Sequence, residues 1–322
     1  MRKFERAIIV CSKCLEFAPC RWNGVVIPDD FVKQLRDHVI FKPVCPEFEI
    51  GLGIPRDPIR IVAHSGKRRL MQPATGRDVS TLMGEFADKH LSALGETDGF
   101  IFKGRSPSCG IKDVKIYSGL ENAPVLKKGS GFFGGAVMEK FPDLAIEDEG
   151  RLENFRIREH FLTKLFSLAS WRKISKQKST ANLVGFHSAN KMLLMAYSQK
   201  ELKIMGQIAA NHEKKNIDDV FSDYGQHFKR ALARAPRYVS NINVLMHAMG
   251  YFSRELKSAE KSYFLSALEK YRIGREPLSV PVSLLRSWII RFDQEYLINQ
   301  TFFEPFPEEL IHITDSGKGR DE

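Results

Sequence analysis

Ala7-Ile8-Ile9-Val10 runs straight into Cys11-Ser12-Lys13-Cys14, a short apolar stretch that ends in cysteine. The pattern returns twice. Val39-Ile40-Phe41-Lys42-Pro43-Val44 leads into Cys45-Pro46-Glu47, and Phe100-Ile101-Phe102-Lys103 leads into Gly104-Arg105-Ser106-Pro107-Ser108-Cys109-Gly110. Apolar runs of this length read as buried strands. Helical signals lie between them. Pro28 followed by Asp29-Asp30-Phe31 marks a capped helix start, and residues 79–94 carry Val79, Leu82, Met83, Phe86, Leu91 and Leu94 at helical spacing. Residues 59–63 are a further strand candidate. This β-α-β-α alternation predicts an α/β domain with a mostly parallel, Rossmann-like sheet covered by helices. Loops that follow parallel strands emerge along one edge of the sheet, where open α/β folds place their sites. Cys14, Cys45 and Cys109 are therefore expected to converge although they are distant in sequence.

Beyond residue 150 the pattern changes. Residues 152–171, 202–210, 218–234, 242–256, 258–271 and 281–292 have helical periodicity, and the polar stretch 173–182 reads as a loop. The chain of 322 residues suggests about two domains. We place the join at residues 147–152, giving domain 1–148 and an all-α, basic domain 149–322. Residues 315–322 are polar and expected to fray. No stretch reaches the roughly 18 apolar residues of a spanning helix, and the N-terminal apolar run is too short for a signal-peptide core. No membrane partner and a cytoplasmic location are the expectations. All five cysteines fall in the first 109 residues. Without an export signal they point to metal or catalytic roles more than to disulfides.

The formal charge is +10. The excess is concentrated in residues 151–275, where cations outnumber acids more than twofold, while residues 276–322 are net acidic. A polyanion is the natural partner of such a block, because neutralised phosphates release counterions. A solvated basic surface is the plainer reading. The candidate phosphate contacts are Arg172, Lys173, Lys176, Lys178, Lys214, Lys215, Lys229, Arg230, Arg234 and Arg237.

Three convergent thiolates can hold zinc or an iron–sulfur cluster. The paired spacing usual for zinc is missing, and Cys11-x-x-Cys14 alone is weak evidence for either. Buried cysteines that act only as small apolar residues are the bland alternative. Glu47 stands two residues after Cys45, and Ser106 and Ser108 flank Pro107 before Cys109. A carboxylate and a hydroxyl beside an open metal position suit water activation or proton delivery. Gly129-Ser130-Gly131-Phe132-Phe133-Gly134 matches a dinucleotide fingerprint, but Leu126-Lys127-Lys128 before it does not read as a strand. It is better read as a glycine-rich turn before a helix at 136–141.

Cys14-Leu15 with Cys20-Arg21-Trp22-Asn23-Gly24, then Val44-Cys45-Pro46-Glu47, then Arg105-Ser106-Pro107-Ser108-Cys109-Gly110 resembles the thiouracil desulfurase family over roughly residues 5–140. The second half resembles the YbgA-like domain often fused to it. The matching stretches are Gly185-Phe186-His187-Ser188-Ala189-Asn190-Lys191, Asn243-Val244-Leu245-Met246-His247 with Gly250-Tyr251-Phe252, and Tyr271-Arg272 with Pro277-Leu278-Ser279-Val280-Pro281. The resemblance implies a desulfurase acting on 4-thiouridine in tRNA, or on free thiopyrimidines, by hydrolysis without redox change. It implies a [4Fe-4S] cluster with one open iron, held by Cys14, Cys45 and Cys109, with Glu47 and Ser108 catalytic. Cys20 ranks below the other three as a ligand, and Cys11 is expected to be structural. Phe17 and Trp22-Asn23 depart from the stand-alone members of the family, which puts the substrate pocket in question. His187 and His247 are expected to be helix histidines rather than RNA contacts. Phe186, Tyr251 and Phe252 are expected to pack the helical core.

Overall fold

The computed structural model describes residues 2–64 and 66–311; the expected fraying at 315–322 lies outside them. The first part of the chain folds as β1 (Ala7–Ser12), α1 (Asp30–Leu35), β2 (Val39–Val44), α2 (Pro46–Glu49), β3 (Arg60–His64), β4 (Lys67–Gln72), β5 (Arg77–Asp78), α3 (Ser80–Ala93) and β6 (Gly99–Phe102). β7 (Val114–Tyr117), β8 (Val125–Gly129), α4 (Phe132–Lys140), β9 (Ala145–Asp148) and α5 (Glu149–Leu152) follow. The helical part is α6 (Phe155–Lys176), α7 (Thr180–Tyr197), α8 (Gln199–Ala210), α9 (Ile217–Ala231), α10 (Tyr238–Gly250), α11 (Ser258–Arg272), α12 (Ser279–Arg291) and α13 (Glu295–Ile298).

The three apolar runs that end in cysteine are β1, β2 and β6. They lie side by side in one four-stranded sheet of order β2-β1-β6-β9, and every pairing in it is parallel. The α/β fold with a parallel sheet is as the sequence predicts. Both faces of β1 and β6 are covered. Ile9, Cys11 and Ile101 belong to one apolar core with Leu15, Val32 and Leu35, while Val10, Phe100 and Phe102 belong to another with Met83, Phe133 and Val137. Asp29 caps α1 by accepting from the Val32 N–H at 2.8 Å, the start that Pro28-Asp29-Asp30 signals.

A second sheet, of order β5-β4-β3-β7-β8, was not legible in the sequence. Residues 59–63 do form a strand, but β3 joins this mixed sheet, antiparallel to β4 and parallel to β7. β4 and β8 are largely exposed, so lysine and arginine occupy positions that the apolar signal of a buried strand would fill.

Compactness divides the chain inside α6, between Ala169 and Ser170, beyond the 148/149 position. The physical reason is the early part of α6. Phe161, Leu162, Leu165, Phe166 and Ala169 are buried in the same core as Ile9 and Ile101. Residues 306–311 belong to that α/β unit as well.

In the helical unit, residues 173–182 are not a loop. α6 continues to Lys176, and α7 starts at Thr180 with Ser179 accepting from the Asn182 N–H at 3.1 Å. The polar composition conceals two apolar anchors, Ile174 and Leu183, that pack into an aromatic core. Trp171 stacks there on Phe221 and Tyr224, with ring centroids 5.6 and 5.1 Å apart. Phe186 and Phe252 are buried, but Tyr251 is 46% exposed and stacks on Tyr296. The expectation that Tyr251 packs the core is corrected, because it lies just past the end of α10, at its exposed rim. His187 bonds the Tyr224 hydroxyl through Nδ1 at 3.1 Å, and burial lowers its pKa, whereas His247 is exposed.

Candidate active site

The parallel sheet brings the ends of β1, β2 and β6 together, and the loops beyond them enclose a cavity of about 390 Å³. Cys14, Cys45, Cys109, Glu47 and Ser108 all line it, and so does Cys20. Cys11 does not. Its side chain points into the sheet core and is fully buried.

Each loop is fixed by its own backbone. The Lys13 N–H donates to Val44 O at 2.8 Å, tying the first loop to the end of β2, and the Ile27 N–H donates to Cys14 O at 2.8 Å. Cys45 is the N-cap of α2, with Pro46 at the first helical position, a place proline suits because its missing N–H is not needed there. In the third loop Arg105 takes φ +60°, and the Ser106 hydroxyl accepts from the Cys109 N–H at 3.1 Å. This turns Ser106, Ser108 and Cys109 towards the cavity.

The glycine-rich stretch explains how that loop is held. Here the expected local structure is corrected. A strand, β8, does precede it, and α4 begins at Phe132 rather than at 136. The strand escaped notice because it is exposed. A Cβ on Gly131 would lie 2.5 Å from Ser108 O, and one on Gly134 2.3 Å from Cys109 O. The glycines therefore allow α4 to press against the cysteine loop, and the Gly134 N–H donates to Ser108 O at 3.0 Å.

Glu47 is held at both carboxylate oxygens. The Ser108 hydroxyl donates to its Oε1 at 2.6 Å. Arg56 donates to its Oε2 from Nε at 2.9 Å and from Nη2 at 2.7 Å. The Arg56 side chain is only 3% exposed, and its Nη1 also donates to Cys20 O at 3.1 Å and Gly53 O at 2.9 Å. It thus joins the Glu47 and Cys20 loops. Sequence reasoning missed Arg56, since it lies in an irregular loop with no periodic signal. It also missed Ser12, whose hydroxyl accepts from the Lys103 N–H at 2.9 Å. Lys103 itself pairs with Glu149, the residue just past the end of β9.

The thiols influence one another. The Cys45 thiol donates to the Cys20 carbonyl at 3.6 Å, and Cys14 and Cys45 are the neighbours that shift the Cys20 thiol. The nearby Cys14 thiol pushes Cys20 up to about 11. The neighbouring Cys20, together with burial, raises Cys45. Burial pushes Cys109 up to about 12. Thiols raised in this way become thiolates only where a cationic group compensates them, which is what a metal centre supplies. Among the described residues, no three His, Cys, Asp or Glu side chains converge closely enough to hold a single metal ion. Thiols lining a cavity of this size fit a larger, thiolate-held group. Besides the thiols and Glu47, the wall carries Lys13, Arg21, Arg56, Lys103 and Arg105, and no second acid. Trp22, 43% exposed, stands on the same wall.

The ten basic residues singled out in the second half have mixed surroundings. Lys178 pairs with Asp218, and Lys215 with Glu213 at 3.1 Å. Arg172, Lys173 and Lys176 have partners too. Arg230, Arg234 and Arg237 line one cavity in the helical unit. Lys214 sits at φ +52° in the turn between α8 and α9, and Lys229 is in the last turn of α9. No helix among the described residues is long and apolar enough to cross a membrane.

Comparison with known proteins follows the same division. The family described as 2-thiouracil desulfurase matches residues 9–149, and a family of unknown function, DUF1722, matches residues 191–307. The uncharacterized protein YbbK of Bacillus subtilis (strain 168) is 34% identical over 110 residues, 32% of this chain and 73% of its own length. The uncharacterized protein YbgA of Escherichia coli (strain K12) is 28% identical over 164 residues, 50% of this chain and 96% of its own length. A solved structure of a [4Fe-4S]-dependent thiouracil desulfidase, TudS, is 25% identical, covering 46% of this chain and 93% of that one with a TM-score of 0.35.

Proposed function

The chain belongs to the 2-thiouracil desulfurase family through residues 9–149 and carries a DUF1722 region after them, and from that premise we propose that its cavity replaces the sulfur of a thiolated pyrimidine by oxygen, with 4-thiouridine in tRNA as the substrate. One observation carries the reading. Cys14, Cys45 and Cys109 face the same cavity as a Glu47–Ser108 pair bonded at 2.6 Å.

The donor set suits a [4Fe-4S] cluster bound by Cys14, Cys45 and Cys109. Bound there with one iron free of protein ligands, it would supply a Lewis acid towards a thiocarbonyl sulfur. The chain's own residues do the rest. Glu47 is oriented from both sides, by Ser108 on Oε1 and Arg56 on Oε2, which leaves it placed to take a proton from water at the cavity wall. The Ser106 and Ser108 hydroxyls are 2.9 Å apart and form a short relay that returns a proton to Glu47 or to the base. The balance is simple. Water gives its oxygen to the ring carbon, and sulfur departs as hydrogen sulfide with the two protons. No electrons are added or removed.

A polynucleotide substrate is favoured by charge. A free thiopyrimidine carries no phosphate, yet the wall offers Arg21, Arg105 and Lys13 against a single acid already bonded to Arg56. Trp22 gives a face on which a base drawn out of its stack can rest. Ten cations of the helical half, Arg172 to Arg237 as named above, are the wider set of phosphate contacts. A reducing cytoplasmic setting belongs to the same reading, since the thiols must stay free. A second reading has its own observation. Cys20 lines the same cavity as Cys14 and Cys45, and the Cys45 thiol donates to its carbonyl at 3.6 Å; ligation by all four thiols would close the site and leave a structural cluster.

The test offers the iron-reconstituted chain equal concentrations of 4-thiouridine-containing tRNA, free 4-thiouridine and 2-thiouracil under anaerobic conditions. We expect kcat/KM to be highest for tRNA. Equal or faster turnover of the free compounds would replace the tRNA reading by a small-molecule desulfurase.

A further inference from the structure

The helical unit holds a cavity of about 430 Å³ with a chemistry of its own. Tyr197 and Ser198 line it where α7 meets α8, Arg230 lines it from the last turn of α9, and Arg234, Arg237 and Ser240 line it on the way into α10. None of its lining residues is acidic. The guanidiniums of Arg230, Arg234 and Arg237 make no ion pair or hydrogen bond among the described residues. Elsewhere in the unit Lys178, Lys215, Lys270, Arg272 and Arg291 each pair with a carboxylate, while Lys203 and Arg254 stand singly on the surface; what sets the three arginines apart is that they share one hollow. All three are solvent-exposed, so water screens their mutual repulsion, and the preference for an anion comes from three guanidiniums converging on one hollow that holds no carboxylate.

The backbone adds to this preference. α10, 13 residues long, begins at the cavity wall, whereas α8 begins there already capped by Ser198. α10 starts at Tyr238, and its N-cap Arg237 gives no side-chain cap, so the Tyr238 and Val239 N–H groups and the positive end of the helix dipole are available to an anion. The connection supplies the space. Ala233, Ala235 and Pro236 alternate with the arginines and put no bulk into the hollow. Arginine is also the cation whose planar fork matches phosphate oxygens in pairs.

We propose that this cavity is a phosphate-binding site, in which Arg230, Arg234 and Arg237 grip the oxyanion at the start of α10. The inference does not depend on the desulfurase reading of the thiol cavity. The phosphate can be carried by an RNA strand or by a small phosphorylated molecule, and the experiment separates the two.

Full-length protein is titrated calorimetrically with inorganic phosphate, and with a short RNA bearing or lacking a 5′-phosphate, across a range of salt concentrations. Wild type is compared with Arg230→Gln/Arg234→Gln/Arg237→Gln. A second triple, Lys203→Gln/Arg254→Gln/Arg275→Gln, removes equal charge at exposed positions outside the cavity. Thermal melts check that both variants fold. We expect phosphate binding to be lost in the cavity variant only. If RNA is the source, its affinity falls as well, and the log–log salt slope becomes shallower by about 0.7 for each phosphate contact removed. If a small molecule is the source, RNA affinity matches that of the control triple while phosphate binding is gone. Arg234→Lys keeps the charge but loses the fork, and is expected to weaken phosphate binding severalfold. Equal phosphate binding by the two triples, or none by the wild type, overturns the site.

Discussion

Cys45→Ala is expected to lose bound iron and sulfide release together, both to background. Cys45 stands at the junction of β2 and α2, buried, with its thiol donating to the Cys20 carbonyl at 3.6 Å. Its backbone is fixed as the α2 N-cap, so it presents its thiol from a position that no other loop supplies. The fold should survive, since the thiol lines a cavity rather than filling the sheet core. Iron content, the charge-transfer absorption of the reconstituted protein and its melting curve are the measurements. Cys11→Ala should do the reverse, keeping iron and turnover while lowering the melting temperature, because Cys11 is buried in the core with Ile9 and Leu15. Cys20→Ala decides between the two readings of the site. Iron and turnover retained would leave Cys14, Cys45 and Cys109 as the ligand set. A cluster lost with Cys20 would favour ligation by four thiols and a structural role.

Glu47→Gln is expected to keep the iron and lower turnover by about 10²- to 10⁴-fold, the usual contribution of a positioned general base. Glutamine keeps the shape of the side chain and one acceptor oxygen for Arg56 or Ser108, but cannot accept a proton from water. Alanine is the poorer test. It would leave the Arg56 guanidinium buried and unpaired, and breaking a buried pair from one side costs about 3–5 kcal/mol. A loss of stability would then mask a loss of chemistry. Single-turnover assays with matched iron content separate the two effects. Turnover within about twofold of wild type, well inside the range expected for a lost base, would remove Glu47 from the mechanism and leave it as the partner that anchors Arg56.

Much of the parallel sheet was legible because its strands are buried on both faces. Ile8-Ile9-Val10 and Phe100-Ile101-Phe102 are apolar without interruption, as strands covered by helices must be. Their order in space places the three cysteine loops on one edge, so the convergence of Cys14, Cys45 and Cys109 could be argued from sequence. Strands exposed on one face gave no such signal. Lys67-Arg68-Arg69 in β4 and Lys127-Lys128 in β8 look like loop, and the second sheet was missed with them. α7 was missed for a related reason, since the polar residues around Ser179 hide a sharp helix start. Arg56 was illegible because its importance lies in tertiary contact alone. Nothing near Gly53 and Pro55 in the sequence says that the next arginine will fold back onto a glutamate nine residues earlier. The glycines at 131 and 134 were visible, but their purpose was not. They serve the close approach of α4 to the loop carrying Ser108 and Cys109.

The most direct measurement is the stoichiometry of desulfuration. Anaerobically reconstituted protein is given a thiolated pyrimidine in slight excess, without external reductant, and both sulfide and the oxygenated base are quantified. The account predicts that the two products appear in equal amounts and that neither appears with Cys45→Ala. Thiolated substrate recovered intact from a protein that holds its full complement of iron would contradict it.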